Sequence, residues 1–282
     1  MAALIPPLST PSFSVASKRL LVTGGSQGLG YAIAESLMKA GASKVGIMAR
    51  TKAKGEAAAV KLGALGAPGS SCSFYETDIS CPSSIASSFS SAISDMGGVD
   101  GLVNAAATTD RGNLMTTDAE MFDWQMNVNC RGPMLATQAV ARHMVSAGTP
   151  GSIVNITSVA GKGGAPFIMA YSASKAALEC LTRNNAAELA PHRVRVNAVA
   201  MGWCYTENED KLQAAQTGNQ NWVEDADSQQ PLGRILRPED VAPTVGHLLS
   251  DATNMITGNI VDLHPEYAAG MLSLAAVDSV ER

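Results

Sequence analysis

The stretch KRLLVTGGSQGLGYAIAESLMKAG, residues 18–41, decides the fold of this chain. Its first residues form a short apolar run that predicts a buried strand, and its last residues have the composition of a helix that ends at Gly41. A turn with three glycines, Gly24, Gly28 and Gly30, joins the two. A strand that passes through a glycine turn directly into a helix is the first half of a β–α–β unit.

The same alternation of strand and helix continues along the chain. Six further short apolar runs predict strands: KVGIMAR, SCSFYETD, VDGLVNAA, GSIVNITS, RVRVNAVA and GNIVDLH. Helical stretches separate them, and one long helical stretch is predicted to run roughly from Asp118 to Ala147. Continuous apolar strands alternating with helices predict the α/β class, with a doubly wound parallel sheet of about seven strands and helices on both faces.

Length and composition fit one large domain. The chain has 282 residues, of which 46% are hydrophobic and 16% charged, enough for a substantial core. We expect a single domain over residues 18–282, preceded by a flexible arm over residues 1–17. The Ser- and Pro-rich start also suggests an organelle-targeting segment, but the first strand begins near Lys18 and leaves little chain for one.

Several classes of function are disfavoured. A net charge of -5 gives no basic footprint for nucleic acid, and no apolar run approaches the ~18 residues of a membrane span. Five cysteines without a CxxC pattern and four scattered histidines predict reduced thiols in the cytoplasm and no metal site.

The glycine turn has a chemical use as well as a structural one. Its spacing lets the backbone approach a pyrophosphate at the start of a helix, where unpaired N–H groups and the dipole favour an anion, although many glycine turns are merely turns. The second predicted strand ends at Arg50, with Lys52 and Lys54 close behind. Cations here fit the 2′-phosphate of NADP(H) better than NAD(H), unless they are a solvated helix start.

The segment YSASK places Tyr171 and Lys175 one helical turn apart. Both side chains should leave the same face of a helix. The ordinary interpretation is a packed tyrosine beside a surface lysine. The alternative is a phenol that exchanges a proton and an ammonium that lowers its pKa from about 10.

The motifs taken together resemble the short-chain dehydrogenase/reductase family over nearly the whole chain, from about Lys18 to His264. In order they are TGGSQGLG, Asp78, NAA, VN, Ser158, YSASK, NAVA and PLGRILRPEDVA. The resemblance implies a single-domain Rossmann-like fold, a nicotinamide cofactor and a homotetramer or homodimer. Matched position by position, the catalytic set it implies is Asn129, Ser158, Tyr171 and Lys175. The cofactor set it implies, with the glycine turn and Arg50 included, is Gly24, Ser26, Gln27, Gly28, Leu29, Gly30, Arg50, Asp78, Ile79, Asn104, Ala105, Tyr171, Lys175, Gly202 and Thr206.

Asn129 carries a second clue. Pro133 lies four residues later and has no N–H, so the Asn129 carbonyl loses its usual helical partner. The family resemblance implies a water on that carbonyl that connects Lys175 to solvent. A simple helix kink in the core is the alternative.

The stretch from about 201 to 237 is predicted to be a substrate loop. Trp203 and Tyr205 fit a flat or sugar-like ring or, equally, pack on the protein itself. Phe167, Met169, Ser158 and Tyr171 are the other substrate-site candidates. The acidic residues of this loop disfavour an anionic substrate if they face the site, or form the first turn of a helix: Glu207, Glu209 and Asp210. Cys204 is expected to be a buried, inert thiol.

Three positions depart from the family pattern. Ala107 replaces a glycine after the fourth strand, Met201-Gly202 replaces Pro-Gly after the sixth, and His264-Pro265-Glu266 replaces Asp-Gly-Gly near the end. The last change puts contacts made by the C-terminal tail in doubt.

Two functions compete. The first is an NADP(H)-preferring oxidoreductase, a carbonyl reductase or alcohol dehydrogenase that interconverts a secondary alcohol (sugar, polyol or cyclic alcohol) and its ketone. The second is a catalytically silent dinucleotide sensor or scaffold.

Overall fold

A computed structural model describes residues 13–219 and 221–265. Within these residues seven strands form one parallel sheet in the order β3-β2-β1-β4-β5-β6-β7. This order reverses direction at β1 and β4, so the predicted doubly wound, Rossmann-like sheet is confirmed. The strands are β1 Arg19–Thr23, β2 Lys44–Ala49, β3 Ser71–Glu76, β4 Gly101–Asn104, β5 Gly151–Ser158, β6 Val194–Met201 and β7 Ile260–Leu263.

Nine α-helices lie in the same described ranges. They are α1 Gly28–Lys39, α2 Lys52–Gly63, α3 Pro82–Met96, α4 Ala119–Met126, α5 Gly132–Ala147, α6 Met169–Leu189, α7 Glu207–Thr217, α8 Trp222–Ser228 and α9 Pro238–Leu249. One apolar cluster joins α1, α2 and α9 to the sheet, and a second joins α3, α5 and α6 to its other face. Both faces are therefore covered, as continuous apolar strands require.

The helical stretch predicted from about Asp118 to Ala147 is present, and it consists of two α-helices. A π-helical turn over Asn127–Arg131 separates α4 from α5. Gly132 N–H donates to the carbonyl of Asn127, five residues back. Because Pro133 has no N–H to donate, the regular four-residue ladder fails here and the wider turn replaces it.

The N-terminal segment joins the domain before residue 18. Val15 is fully buried, and its N–H donates to the carbonyl of Ala40 at 3.1 Å. The Phe13 ring packs against Gly246 of α9, where no Cβ would fit. The structure therefore packs Phe13 and Val15, two residues of the expected arm, against the domain, and residues 1–12 lie outside the described residues.

The end of β7, where His264 departs from the family pattern, is packed against the domain. His264 is buried, and its Nε2 lies 3.1 Å from Asp262 Oδ1. Asp262 Oδ2 also accepts from Lys162 Nζ at 2.8 Å. Glu266, the last of the three departing positions, lies outside the described residues.

Candidate active site

A cavity of about 1370 Å³ opens at the carboxyl ends of the strands. It exceeds the ~300–1,000 Å³ of a pocket for one drug-sized molecule, and it lies where doubly wound sheets bind ligands. Most of the predicted site residues line it: Gly24, Ser26, Gln27, Gly28, Leu29, Gly30, Arg50, Asp78, Ile79, Ala105, Ser158, Phe167, Tyr171, Lys175, Gly202, Trp203 and Thr206. The predicted residues that do not line it are Asn104, Asn129, Met169 and Tyr205.

The glycine turn between β1 and α1 forms one end of the cavity. Gly24 has a φ of +71°, and its N–H donates to the Met48 carbonyl at 2.7 Å. A Cβ on Gly30 would press against the Gly24 carbonyl oxygen, far closer than real Cβ atoms approach. The glycines therefore allow the chain to turn tightly into α1, and the helix start faces the cavity.

Cations flank this end of the cavity. Arg50 follows β2 directly, and its guanidinium carbon lies 5.9 Å from the Trp124 ring centroid. Lys54 lines the cavity too, and its Nζ donates to Gln27 Oε1 at 3.1 Å. The cluster is suited to an anion.

Asp78 forms the neighbouring wall. Its carboxylate accepts from the Ser80 hydroxyl at 2.7 Å and from the Ser80 N–H at 2.9 Å. These bonds, and the nearby charge of Arg50, hold the pKa of Asp78 below its ordinary value. The carboxylate is thus a fixed acceptor beside the cations.

Three predicted catalytic side chains meet at the other end. Ser158 closes β5, and its hydroxyl is near enough to the phenol of Tyr171 on α6 to act on its pKa. Lys175 lies one turn further along α6, with Nζ 5.5 Å from the centre of the Tyr171 ring. Lys175 is 3% exposed, and its Nζ donates to the Ile156 carbonyl at 2.8 Å. The lysine is therefore a buried cation under the tyrosine and not the surface residue of the ordinary interpretation.

Burial controls the titration of this group. Removal from water raises the pKa of Tyr171 to about 12, although the nearby Ser158 hydroxyl acts to lower it. The same effect lowers the pKa of Lys175 to about 8. The prediction that Lys175, together with a cationic nicotinamide, lowers the pKa of the phenol stays a prediction, because burial is the largest cause of the shift in this structure. At neutral pH the phenol is protonated, the form that donates a proton.

Asn129 lies in the π-helical turn and is fully buried. Its Oδ1 accepts from the Thr108 N–H at 2.9 Å, and its Nδ2 donates to the Thr108 carbonyl at 2.9 Å and to Ser174 Oγ at 3.1 Å. The side chain therefore fixes the loop after β4 to helix α6. Its part in a water path to Lys175 stays a prediction.

The Asn104 side chain also has a structural role, because it joins neighbouring elements by hydrogen bonds. Its Nδ2 donates to Asn155 Oδ1 at 2.8 Å, and Asn155 Nδ2 donates to Thr182 Oγ1 at 2.9 Å. These amides lie inside the sheet, with Asn104 2% exposed. The expectation that Asn104 lines the cofactor cavity is not met, because its side chain points into this network, whereas Ala105 does reach the cavity.

The predicted substrate loop contains two helices, α7 and α8. Trp203 lines the cavity and stacks on Trp222 at 5.3 Å, whereas Tyr205 stacks on the far side of the cavity wall, 6.1 Å from Trp222. Tyr205 belongs to a small apolar cluster under the loop, so its assignment as a substrate contact is corrected to loop packing. Thr206 lines the cavity and caps α7, its Oγ1 accepting from the Glu209 N–H at 3.1 Å.

The acidic residues of the loop fulfil both of the roles considered for them. Glu207, Glu209 and Asp210 form the first turn of α7, and the two glutamates also line the cavity. Cys204 is buried, and desolvation raises its pKa to about 12, so the thiol is inert as expected.

Two cavity residues have no motif in the sequence. Arg111, in the loop after β4, contacts Glu209, and Trp124 on α4 contacts Arg50. Neither spacing nor composition distinguishes them, because long-range packing alone brings them to the cavity.

The described ranges also limit other chemistry. Within residues 13–219 and 221–265, no three His, Cys, Asp or Glu side chains come together as a metal-binding group. No helix in the same ranges has the length and hydropathy to cross a membrane.

A doubly wound sheet with a glycine turn and a Ser–Tyr–Lys group in one cavity defines a dinucleotide-dependent oxidoreductase. Over residues 24–263 the chain matches the family model described as Enoyl-(Acyl carrier protein) reductase. It is 33% identical to L-xylulose reductase of Mesocricetus auratus, over 87% of this chain and 94% of that protein. It is 32% identical to 2,5-dichloro-2,5-cyclohexadiene-1,4-diol dehydrogenase of Sphingobium indicum, over 87% of this chain and 94% of that protein.

A solved structure agrees with these matches. The short-chain type dehydrogenase/reductase from Mycobacterium ulcerans superposes with a TM-score of 0.81 at 31% identity, covering 95% of this chain and 100% of that one. The chain belongs to the short-chain dehydrogenase/reductase family. The family implies a nicotinamide dinucleotide, and the residues fit one, because the tight glycine turn, the cations beside it and the buried Lys175 line a single cavity.

Proposed function

We propose that this protein is an NADP(H)-dependent oxidoreductase that interconverts a secondary alcohol and its ketone. The observation that carries the proposal is the Ser158–Tyr171–Lys175 group, which shares one cavity with the glycine turn. Sugars, polyols and cyclic alcohols are the proposed substrate class. The names of two relatives, a xylulose reductase and a cyclohexadiene-diol dehydrogenase, support this choice.

The side chains divide the work. A bound nicotinamide would supply the hydride in reduction and accept it in oxidation. Tyr171 holds a proton at its phenol oxygen at neutral pH and donates it to the substrate oxygen in reduction. The Ser158 hydroxyl stabilises the charge that develops on that oxygen. Lys175 keeps a cation near the phenol, and its other donors would hold the cofactor ribose.

The preference for NADP(H) rests on charge. Arg50 and Lys54 line the cavity beside the glycine turn. The residue directly after β2 is Arg50 and not an acidic residue that could hold a free ribose hydroxyl. A guanidinium and an ammonium here favour a 2′-phosphate over a free hydroxyl. Arg50→Ala should therefore raise KM for NADPH about 10-fold or more and leave KM for NADH within about threefold. An equal effect on both cofactors would contradict this assignment.

The test of the reaction is nicotinamide absorbance with purified protein and a panel of sugars, polyols and cyclic ketones. Wild type should oxidise NADPH with one class, and Tyr171→Phe should lose that turnover by about 100-fold or more. NADPH binding, measured by titration calorimetry, should survive the change because the ring remains. A Tyr171→Phe protein as fast as wild type would overturn the mechanism. Silence of wild type with intact NADPH binding would favour the sensor or scaffold.

We also propose a cytoplasmic homotetramer or homodimer. The cysteine pattern supports the location, and family membership supports the assembly. Size-exclusion chromatography with light scattering would measure the assembly.

A further inference from the structure

Arg111 is a positive side chain at the substrate end of the cavity, and the function proposed above gives it no role. We propose that Arg111 is a specificity-determining residue that donates hydrogen bonds to a second, neutral oxygen of the substrate. This inference rests on the proposed reduction of a ketone and narrows its substrate class. The expected substrate is an uncharged ketone that carries a further hydroxyl or carbonyl away from the reacting carbon.

Backbone contacts place Arg111 beside the catalytic helix. The Gly112 N–H donates to the Phe167 carbonyl at 2.9 Å, and the Met169 N–H donates to the Gly112 carbonyl at 3.1 Å. Met169 begins α6, two residues before Tyr171. The loop that carries Arg111 is therefore held at the reacting end of the cavity.

The guanidinium of Arg111 is held in place by its neighbours, but its hydrogen-bond donors are not used by the residues that the structure describes. Its carbon lies over the Phe167 ring, 5.7 Å from the ring centroid, and this contact positions the group. Its Nη2 lies 3.6 Å from Glu209 Oε1, too far for a hydrogen bond. That oxygen already accepts from Trp203 Nε1 at 2.9 Å and Gln213 Nε2 at 2.7 Å. Within residues 13–219 and 221–265, Arg111 donates no hydrogen bond, so its five N–H donors remain available to a ligand.

The surrounding charges decide what kind of acceptor fits. Asp110 precedes Arg111, Glu209 lies 3.6 Å from it, and both line the cavity together with Glu207, so three carboxylates outnumber the two cations Arg111 and Lys175. Glu209 is close enough to Tyr171 that its charge helps to raise the pKa of the phenol. A substrate carboxylate or phosphate would meet this excess of negative charge, whereas a neutral oxygen would meet only the donors.

The apolar walls define the rest of the substrate. Phe167 and Trp203 line the cavity with 53% and 40% of their surface exposed, so their rings are available to a ligand. A carbon skeleton with an apolar face fits between them. A cyclic ketone with an oxygen across the ring has both features.

The test compares three ketones with NADPH: cyclohexanone, 4-hydroxycyclohexanone and the anion 4-oxocyclohexanecarboxylate. For wild type, kcat/KM should be about 10- to 100-fold higher for the hydroxyketone than for cyclohexanone, the range of a hydrogen bond from a charged donor. The carboxylate should be the poorest of the three. Arg111→Met should reduce the hydroxyketone preference by about 10-fold or more, and Arg111→Lys should retain part of it.

The control is Arg183→Met, which removes an exposed arginine of α6 that does not line the cavity. Its substrate preference should equal that of wild type. An unchanged preference in Arg111→Met, or no preference in wild type, would overturn the role of Arg111. A wild-type preference for the carboxylate would overturn the neutral class. No turnover of any of the ketones by wild type would instead overturn the proposed function, and this inference with it.

Discussion

Lys175→Met should make the protein more stable and less active at the same time. The folded protein holds this ammonium almost without water, at 3% exposure. Burial lowers its pKa from 10.5 to about 8. At 1.36 kcal/mol per factor of ten, that depression corresponds to about 3 kcal/mol of lost stability at pH 7. Methionine has a similar volume and no charge, so it removes this cost.

A smaller effect opposes the gain. The Lys175 Nζ donates to the Ile156 carbonyl at 2.8 Å, and methionine leaves that oxygen without this partner. The lost bond costs about 1 kcal/mol, so we expect a net stabilisation of about 2 kcal/mol at pH 7. Turnover should fall strongly, because the cation beneath Tyr171 is gone. A residue kept at the expense of stability is typical of a functional site.

The pH dependence identifies the cause. Between pH 8 and 10.5 the unfolded chain binds a proton at Lys175 that the folded chain does not, so the stability of wild type rises with pH in this window. The variant has no such group. Its advantage should therefore shrink by about 1 kcal/mol between pH 7 and pH 9. Other titrating groups are common to both proteins and cancel in the difference.

The assay is urea unfolding followed by circular dichroism, at pH 7 and pH 9 and at one protein concentration. Lys52→Met is the matched control, because Lys52 is an exposed lysine at the start of α2. Its difference from wild type should not change with pH. A Lys175→Met protein that is less stable than wild type at pH 7, or whose advantage does not change by pH 9, would refute the reasoning.

Two further predictions concern the backbone and the thiols. Gly30→Ala should destabilise the protein by about 1–3 kcal/mol in urea unfolding and weaken NADPH binding, because the new Cβ would press on Gly24. Gly63→Ala is the control: its Cβ would lie 3.7 Å from the nearest atom, so it should change neither stability nor NADPH binding. Iodoacetamide at pH 7.5 should alkylate exposed Cys180 while Cys204, buried and with a pKa of about 12, stays intact until unfolding, as read by peptide mass spectrometry. Rapid labelling of Cys204 in folded protein would contradict the second prediction.

The sequence predicts the fold well because its signals are local. Each strand is a short apolar run, and each βα turn carries glycine or a capping residue, so the order of elements follows from neighbours along the chain. The glycine turn and Arg50 are predictable for the same reason. Parallel sheets then bring the ends of β1 and β2 to one edge without further information.

Features that depend on distant packing are not predictable in this way. The contacts of the Asn129 side chain are with Thr108 and Ser174, which are far from it in sequence. The titration of Tyr171 depends on how deeply α6 is buried, and spacing alone cannot show this. Tyr205 and Trp203 are two residues apart, yet only the structure shows which of them faces the cavity.

The amides inside the sheet have a consequence for its assembly. Asn104 of β4 and Asn155 of β5 are paired in register, and their side chains bond across the strands at 2.8 Å. A slip of one residue would place each amide opposite an aliphatic neighbour and would turn the amide of the slipped strand to the other face. Each stranded amide would cost about 1–3 kcal/mol, a large fraction of the ~5–15 kcal/mol that separates folded from unfolded domains. This pair therefore fixes the register of β5 against β4. The register in turn sets the distance between Ser158, at the end of β5, and the glycine turn after β1.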